Sequence, residues 1–226
     1  LCEPTQAARQ QTAAAEAARL GGAAVIHPYN QAEVIAGQGT IGLELMDQVP
    51  DLDTVLVPTS GGGMLTGIAL AVGGRRGGAC RVRAVEPAGK RLGDAFRAGQ
   101  RVLDPTLANS ALDTVCDAMP TRSLGELPWA LAHERGLVSQ EVCTVRDEQV
   151  IGAMRYVFET LKLVVEPAAA TGIAALLAGQ VQPKGQRVGV VLCGGNVDVR
   201  QPLPWQVPAP AAHDDADAEA KRRRVA

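Results

Sequence analysis

The segment Thr59–Met64 holds three consecutive glycines between an apolar run and a run with helical character. Glycine adopts positive φ readily, so three in a row can direct several backbone N–H groups toward one point. A helix that begins directly after them adds its own unpaired N–H groups and the positive end of its dipole. These features predict a cradle for a phosphate dianion. A flexible glycine turn is the alternative interpretation of the same residues.

A second candidate is Cys193, which ends the last apolar run and is followed by Gly194, Gly195 and Asn196. A small polar side chain at the tip of a buried strand points toward the sheet edge where ligands bind. The two glycines allow a planar ligand to lie against the backbone. A single cysteine in such a run is otherwise a buried core thiol. We predict that Cys193 faces a ligand.

The glycine segment matches neither of the common nucleotide-binding motifs. No Gly-Lys-Ser/Thr follows Gly63, as a Walker loop requires. The GxGxxG spacing of dinucleotide-binding proteins is also absent. A nucleotide-binding Rossmann domain is therefore disfavoured.

Alternating apolar and helix-like runs indicate which elements position these residues. Strands are predicted at 23–27, 54–58, 80–85 and 187–192, and helices at 5–20, 38–48, 64–72, 124–135, 148–163 and 167–177. Strand–helix alternation with apolar strands is typical of a parallel sheet covered on both faces. The predicted fold class is therefore α/β, in three α/β/α layers. The carboxyl ends of its strands would bring together Thr59–Met64, the loop after Glu86 and Cys193–Asn196.

Composition excludes several other classes of function. The net charge is −2 and only 3% of residues are aromatic, so neither nucleic acid nor an anionic membrane is an expected partner. No apolar run reaches the ~18 residues of a membrane-spanning helix. The five cysteines are odd in number and contain no CxxC, which fits a reducing compartment, and we expect the cytoplasm. Residues 200–226 are rich in proline and then in charge, and we predict that they form a disordered tail.

Six segments occur in an order that resembles the serine racemase and serine/threonine dehydratase family, pyridoxal-phosphate enzymes of fold type II. The resemblance runs from Cys2 to Val199 and rests on HPYNQ with VIAGQGT, SGGGM, AVEP, TVCDA, KLVVEP and CGGN, at residues 27–40, 60–64, 84–87, 114–118, 162–167 and 193–196. It implies that residues 1–199 are part of the large catalytic domain. Residues 1–25 would complete the small domain or its junction.

The resemblance implies a role for each matching residue. Pyridoxal 5′-phosphate would be held at its phosphate by Ser60, Gly61, Gly62, Gly63 and Met64. Ser60 stands where the family pattern has its first glycine. A serine fits at that position if its φ is negative. Cys193 would face the pyridine nitrogen, and Tyr29 and Glu166 would lie near the cofactor. Glu166 is equally well explained as an acid at a helix N-terminus.

Metal and effector sites match less completely. The family's racemase branch binds a divalent ion through the glutamate that matches Glu86 and a carboxylate six residues further on, where this chain has Leu92. Lys90 and Arg91 precede that position, and Asp94 lies two residues out of register. A Mg²⁺ or Ca²⁺ site is left open. Lys162 and Asn196 match positions that contact ATP, as an effector, in related racemases.

Two parts of the family's machinery have no counterpart in this sequence. The Schiff-base lysine lies in a Ser-x-Lys-x-Arg-Gly motif, and none of the four lysines has that context. The Ser-Ser-Gly-Asn-His segment, which supplies the serine acid/base of racemases, is also missing. We therefore expect a fragment that is inactive by itself, with apolar surface that the missing part would cover.

The activity implied for the complete enzyme is elimination of water from serine or threonine to give a 2-oxo acid and ammonia, with or without racemisation at Cα. A homodimer is the expected assembly. The alternative is a non-catalytic module that retains a phosphate pocket.

Overall fold

The structure is a computed structural model that describes residues 2–3, 5–182 and 186–206. It divides into two units, residues 1–196 and 197–226. All strands and all α-helices of the described residues belong to the first unit. In the second, Pro204–Gln206 forms a 3-10 turn, while residues 207–226 of the predicted tail lie outside the described residues.

A four-stranded parallel sheet organises the first unit. Its strands are β1 (Thr54–Pro58), β2 (Arg81–Pro87), β3 (Cys143–Val145) and β4 (Val188–Val190), in the order β3-β2-β1-β4. Thr54 is aligned with Arg81 on one side and with Val188 on the other. β2 and β4 flank β1 on opposite sides. The chain therefore passes from β1 to β2 on one side of β1 and later forms β4 on the other side. The crevice at the carboxyl ends of β1 and β4 is thus a topological switch point, where open α/β sheets bind ligands.

The described part of the chain contains seven α-helices. They are α1 (Gln6–Arg19), α2 (Ala32–Gln48), α3 (Gly63–Arg76), α4 (Leu92–Ala98), α5 (Glu126–Trp129), α6 (Asp147–Tyr156) and α7 (Pro167–Leu177). Two of them continue as π-helical turns, α5 over Ala130–Glu134 and α6 over Val157–Leu161. A 3-10 turn forms at Pro105–Leu107.

Alternation along the central strand separates the layers. Val55 and Val57 are fully buried in a cluster with Leu65 and Ile68 of α3. Leu56 points to the opposite face, where a Cβ added to Gly172 of α7 would lie 3.8 Å from the Leu56 Cβ. Helices therefore cover both faces of the sheet, and the predicted three-layer α/β architecture is confirmed.

Several element predictions were incomplete and one was wrong. Residues 23–27 form no strand, and Val25 and Ile26 are more than half exposed. An apolar run becomes a strand only when a neighbouring strand pairs with it, and among the described residues none does. The helix expected at 38–48 begins six residues earlier, at Ala32, while α4 and β3 were not predicted.

Candidate functional site

The two segments singled out by their chemistry meet at the switch point. Ser60–Met64 follows β1 after one residue, Thr59, and Cys193 follows β4 after two residues. Both line one cavity of about 380 Å³, a volume typical of small-molecule sites. Tyr29, Glu166 and the 118–121 segment complete much of its wall. The arrangement presents backbone N–H groups at one side and a thiol at another.

The glycine segment has the backbone geometry of an anion cradle. Gly62 has φ of +94° and serves as N-cap of α3, so the helix starts at the cavity. A Cβ at Gly62 would lie 2.8 Å from Leu124 Cδ2, and one at Gly61 would overlap the Tyr29 ring. Arg91 and Lys162 are the only non-glycine residues of the described chain with positive φ, so Ser60 meets the condition set by the sequence. Glycine is thus required at Gly61 and Gly62, and both residues line the cavity with no side chain over their backbone.

A hydroxyl pair fixes the start of this segment. Ser60 Oγ lies 3.1 Å from Thr121 Oγ1, and both residues line the cavity. Thr121 also receives two hydrogen bonds from the Lys90 ammonium, at its carbonyl (2.5 Å) and at its hydroxyl (3.1 Å). Ser60 and Thr121 are 61 positions apart in the sequence, so no local sequence pattern could predict the contact. The glycine segment is therefore braced by a chain of polar groups behind the cavity wall.

Cys193 is half-buried beside a carboxylate. Burial raises the pKa of its thiol, and the nearby Glu166 charge raises it further. The side chain is therefore a neutral S–H near pH 7. The Glu166 carboxylate does not cap its own helix α7; it accepts the N–H of Asn196 at 3.1 Å. A Cβ at Gly194, where φ is +91°, would overlap this carboxylate, so glycine is required for the approach.

Tyr29 belongs to a turn that the sequence did not predict. Nδ1 of His27 accepts the N–H of Asn30 at 2.8 Å, and the His27 and Tyr29 rings meet edge to face at 4.6 Å. Asn30 Oδ1 then accepts the N–H of Leu127 at 2.8 Å, which ties the turn to the start of α5. Burial raises the pKa of Tyr29. These bonds hold the Tyr29 ring against the glycine segment.

The TVCDA segment supplies another wall of the cavity. Asp147, at the first turn of α6, accepts the hydroxyl of Thr114 at 2.6 Å and the N–H of Val115 at 3.0 Å. Cys116 is fully buried, and burial raises its pKa to about 12. This anchoring leads the chain to Ala118, which lines the cavity. Sequence reasoning missed Asp147, and it also missed Arg9, Met119 and Thr121 as lining residues.

Three residues of the predicted sites lie apart from the cavity wall. Lys162 is exposed, and its ammonium binds the Glu159 carbonyl at 2.6 Å. Asn196 is exposed and reaches Glu166 only through its backbone. Glu86 is buried at the end of β2, and neither it nor the other two lines the cavity. The effector role implied for Lys162 and Asn196 stays a prediction.

Glu86 does not have the surroundings of a divalent-ion ligand. One of its oxygens accepts the N–H of Leu92 at 2.8 Å, and the other accepts the Thr144 hydroxyl at 3.0 Å. The fully buried ammonium of Lys90 lies near enough for the two charges to interact. Within residues 2–3, 5–182 and 186–206, no group of three His, Cys, Asp or Glu side chains could hold a metal ion. The residues present do not fit Mg²⁺ or Ca²⁺.

The described cavity wall contains no lysine. Lys90 and Lys162 are engaged elsewhere, and Lys184 and Lys221 lie outside the described residues. None of the helices in the described ranges is both long and apolar enough to cross a membrane.

Fold and cavity together define an open α/β protein with a small-molecule site at the switch point of a parallel sheet. Comparison with known proteins gives the family. A family model described as "Pyridoxal-phosphate dependent enzyme" matches residues 1–194, and the chain belongs to that family.

Similar proteins support the same assignment. The chain is 37% identical over 204 residues to a β-hydroxyaspartate dehydratase of Paracoccus denitrificans strain Pd 1222, covering 90% of this chain and 61% of that protein. It is 37% identical over 202 residues to a serine racemase of Arabidopsis thaliana, covering 87% and 58%. The crystal structure of a pyridoxal 5′-phosphate-dependent aspartate racemase superposes with a TM-score of 0.82 at 39% identity, covering 90% and 61%. The chain thus spans about three fifths of the length of these relatives.

Proposed function

We propose that the cavity holds pyridoxal 5′-phosphate, with the phosphate on Ser60–Met64 and the ring directed toward Cys193. The observation that carries the proposal is that segments following two adjacent strands, β1 and β4, line the same cavity. The cofactor, when bound, supplies an electron sink for negative charge at the α-carbon of an amino acid.

The residues of the chain divide the task of holding this cofactor. The N–H groups at Gly61, Gly62 and Gly63 bind the phosphate, and the positive end of the α3 dipole adds to the attraction. The Cys193 thiol is neutral because burial and Glu166 raise its pKa, so it places no formal charge opposite the ring nitrogen. The nitrogen is then left unprotonated, which makes the ring a milder electron sink.

We propose that the complete enzyme acts on β-hydroxy amino acids such as serine and threonine. The α-proton and the β-hydroxyl leave as water, the enamine that results tautomerises to an imine, and water hydrolyses the imine to a 2-oxo acid and ammonia. The names of the relatives support this class of substrate, because they include a β-hydroxyaspartate dehydratase and a serine racemase. Racemisation at Cα is the second activity compatible with the same cavity. We also propose that the complete enzyme is a homodimer and that it is located in the cytoplasm. The five free thiols support that location.

Binding of pyridoxine 5′-phosphate, which lacks the reactive aldehyde, tests the site directly. Isothermal titration calorimetry is expected to detect binding of this compound and not of unphosphorylated pyridoxine. Gly62→Ala is expected to weaken binding about tenfold or more, since an L-residue is strained at φ +94° and the added Cβ meets Leu124. Gly73→Ala, on the same helix with open space around it, is the matched control. Equal affinity for pyridoxine and its phosphate would overturn the assignment of Ser60–Met64.

A further inference from the structure

Lys90 is an unusual residue to find in the interior of this fold. It is 3% exposed, and a buried ammonium is costly unless fixed partners compensate its lost hydration. Burial lowers its pKa to about 8, with Glu86 opposing the change, so the ammonium is charged at neutral pH. Because burying the Lys90 ammonium costs free energy of hydration, its position in the interior indicates a specific role.

The backbone has an unusual conformation on both sides of Lys90. Gly89 has φ of +91°, and Arg91, the N-cap of α4, has φ of +64°. A non-glycine residue in the left-handed region carries strain that surrounding structure must hold in place. Both unusual conformations flank the one lysine of the described chain whose side chain is fully buried.

The ammonium connects two parts of the molecule. On one side is Glu86, whose oxygens are already held by Leu92 and Thr144. On the other is Thr121, which receives both hydrogen bonds from Lys90 Nζ. Thr121 then meets Ser60 through their hydroxyls at 3.1 Å. The Lys90 ammonium is thus connected by hydrogen bonds through Thr121 to the first residue of the glycine segment, while Glu86 interacts with it through charge.

We infer that Lys90 is a built-in cation that positions the phosphate-binding segment, in a chain whose residues do not fit a divalent ion at Glu86. The inference rests on the proposed function in taking Ser60–Met64 as the phosphate end of the site. Lys90 is a positioning residue, because it acts on the ligand through Thr121 and Ser60. The protein accordingly needs no Mg²⁺ or Ca²⁺ to order this segment.

Two variants separate positioning from a structural role. Lys90→Met removes the ammonium and leaves Glu86 buried without its countercharge, so both the unfolding temperature and the affinity for pyridoxine 5′-phosphate are expected to fall. The double variant E86Q/K90M removes both charges. It is expected to recover most of the unfolding temperature while its affinity stays about tenfold below that of the unaltered chain. Lys162→Met is the control. It removes an exposed ammonium and its bond to the Glu159 carbonyl, so it should lower the unfolding temperature much less than Lys90→Met and leave the affinity unchanged.

Recovery of affinity together with stability in E86Q/K90M would overturn the inference, because Lys90 would then serve folding alone. The effect of metal ions on the unfolding temperature is the second test of the inference. The unfolding temperature of the unaltered chain should be the same in EDTA, in MgCl₂ and in CaCl₂. A rise with either cation, or a fall with EDTA, would also overturn it.

A third measurement keeps this inference distinguishable from the proposed function. Backbone NMR order parameters of Gly61–Gly63 report the rigidity of the segment without any ligand. They are expected to fall in E86Q/K90M and to remain unchanged in Lys162→Met. If the unaltered chain failed to bind pyridoxine 5′-phosphate, the proposed function would be wrong. Unchanged order parameters in E86Q/K90M would instead contradict the role given to Lys90.

Discussion

The protonation state of Cys193 follows from two neighbours of different kinds. Burial disfavours a thiolate in this cavity, and the Glu166 carboxylate adds a like charge. Glu166 itself is held by the N–H of Asn196, so its charge stays close to the thiol. One acidic residue at the start of α7 therefore raises the pKa of the Cys193 thiol, which lies on another segment of the chain.

The pH dependence of thiol alkylation measures the pKa of Cys193. The rate of Cys193 alkylation by iodoacetamide should rise with pH to a midpoint above that of an ordinary thiol, because only the thiolate reacts. Glu166→Gln removes the like charge, so the midpoint should move to lower pH, while the amide oxygen can still accept the Asn196 N–H. Peptide mapping follows each cysteine separately, with the exposed Cys2 of the same chain as internal control.

Two results would contradict this account of Cys193. One is a midpoint that does not move in Glu166→Gln. The other is alkylation that saturating pyridoxine 5′-phosphate does not slow, because a ring directed at the thiol must shield it.

The residues of the candidate site and of its support fall into two groups, those that a local sequence pattern could reveal and those that it could not. Gly61–Gly63 and Cys193 were predictable because a glycine run after a strand and a thiol at a strand end are local patterns. Thr121 and Lys90 were not, since their contacts join residues 31 or more positions apart. The same residue types occur in ordinary loops, and only the fold brings them to the back of the glycine segment.

At the scale of elements, α2 and α3 approach each other through glycines. A Cβ at Gly42 would lie 2.9 Å from the Ile68 carbonyl oxygen, and one at Gly67 would lie 2.8 Å from the Gly39 nitrogen and overlap the Ile35 carbonyl. The close contact fixes α3, whose first residue is Gly63 of the cradle. Helix packing therefore determines where the backbone N–H groups of the glycine segment lie.

Gly67→Ala should disturb this packing. The new methyl group meets backbone atoms, which cannot rotate away, so the free energy of unfolding is expected to fall by about 1–3 kcal/mol. Affinity for pyridoxine 5′-phosphate should fall as well, because α3 must shift. Urea unfolding and calorimetry measure the two effects. Gly73→Ala, one and a half turns further along α3, should instead stabilise by about 0.5–1 kcal/mol. An unchanged stability in Gly67→Ala would contradict the close helix contact.

Element prediction from the sequence succeeded where local pattern and pairing agree. β1 was predicted with its observed bounds, and its five residues are all buried between two neighbouring strands. The run at 23–27 has a similar apolar content but pairs with nothing in the described structure. β3 contains only three residues, Cys143–Val145, and is a strand because β2 lies beside it. Pairing partners are a property of the fold, and no local pattern contains them.

At the scale of the whole molecule, the described cavity wall combines the glycine segment and thiol of the proposed cofactor site but includes no lysine that could bond the cofactor covalently. Lys90 is committed to Thr121 behind the wall, and Lys162 to the Glu159 carbonyl. Family chemistry depends on such a lysine as nucleophile and base. We therefore expect cofactor binding and covalent attachment to be separable in residues 1–226.

Borohydride reduction after incubation with pyridoxal 5′-phosphate tests this separation. We expect residues 1–226 to show only slow, unselective labelling of accessible lysines, because no lysine of the described wall faces the cofactor aldehyde. Peptide mass mapping locates each adduct, and excess pyridoxine 5′-phosphate should leave the pattern unchanged. One stoichiometric adduct that this competitor suppresses would show that a lysine of this chain, such as Lys184 or Lys221 outside the described residues, reaches the cavity. In that case residues 1–226 would carry their own nucleophile, and 2-oxo acid release from serine or threonine should be detectable with them alone.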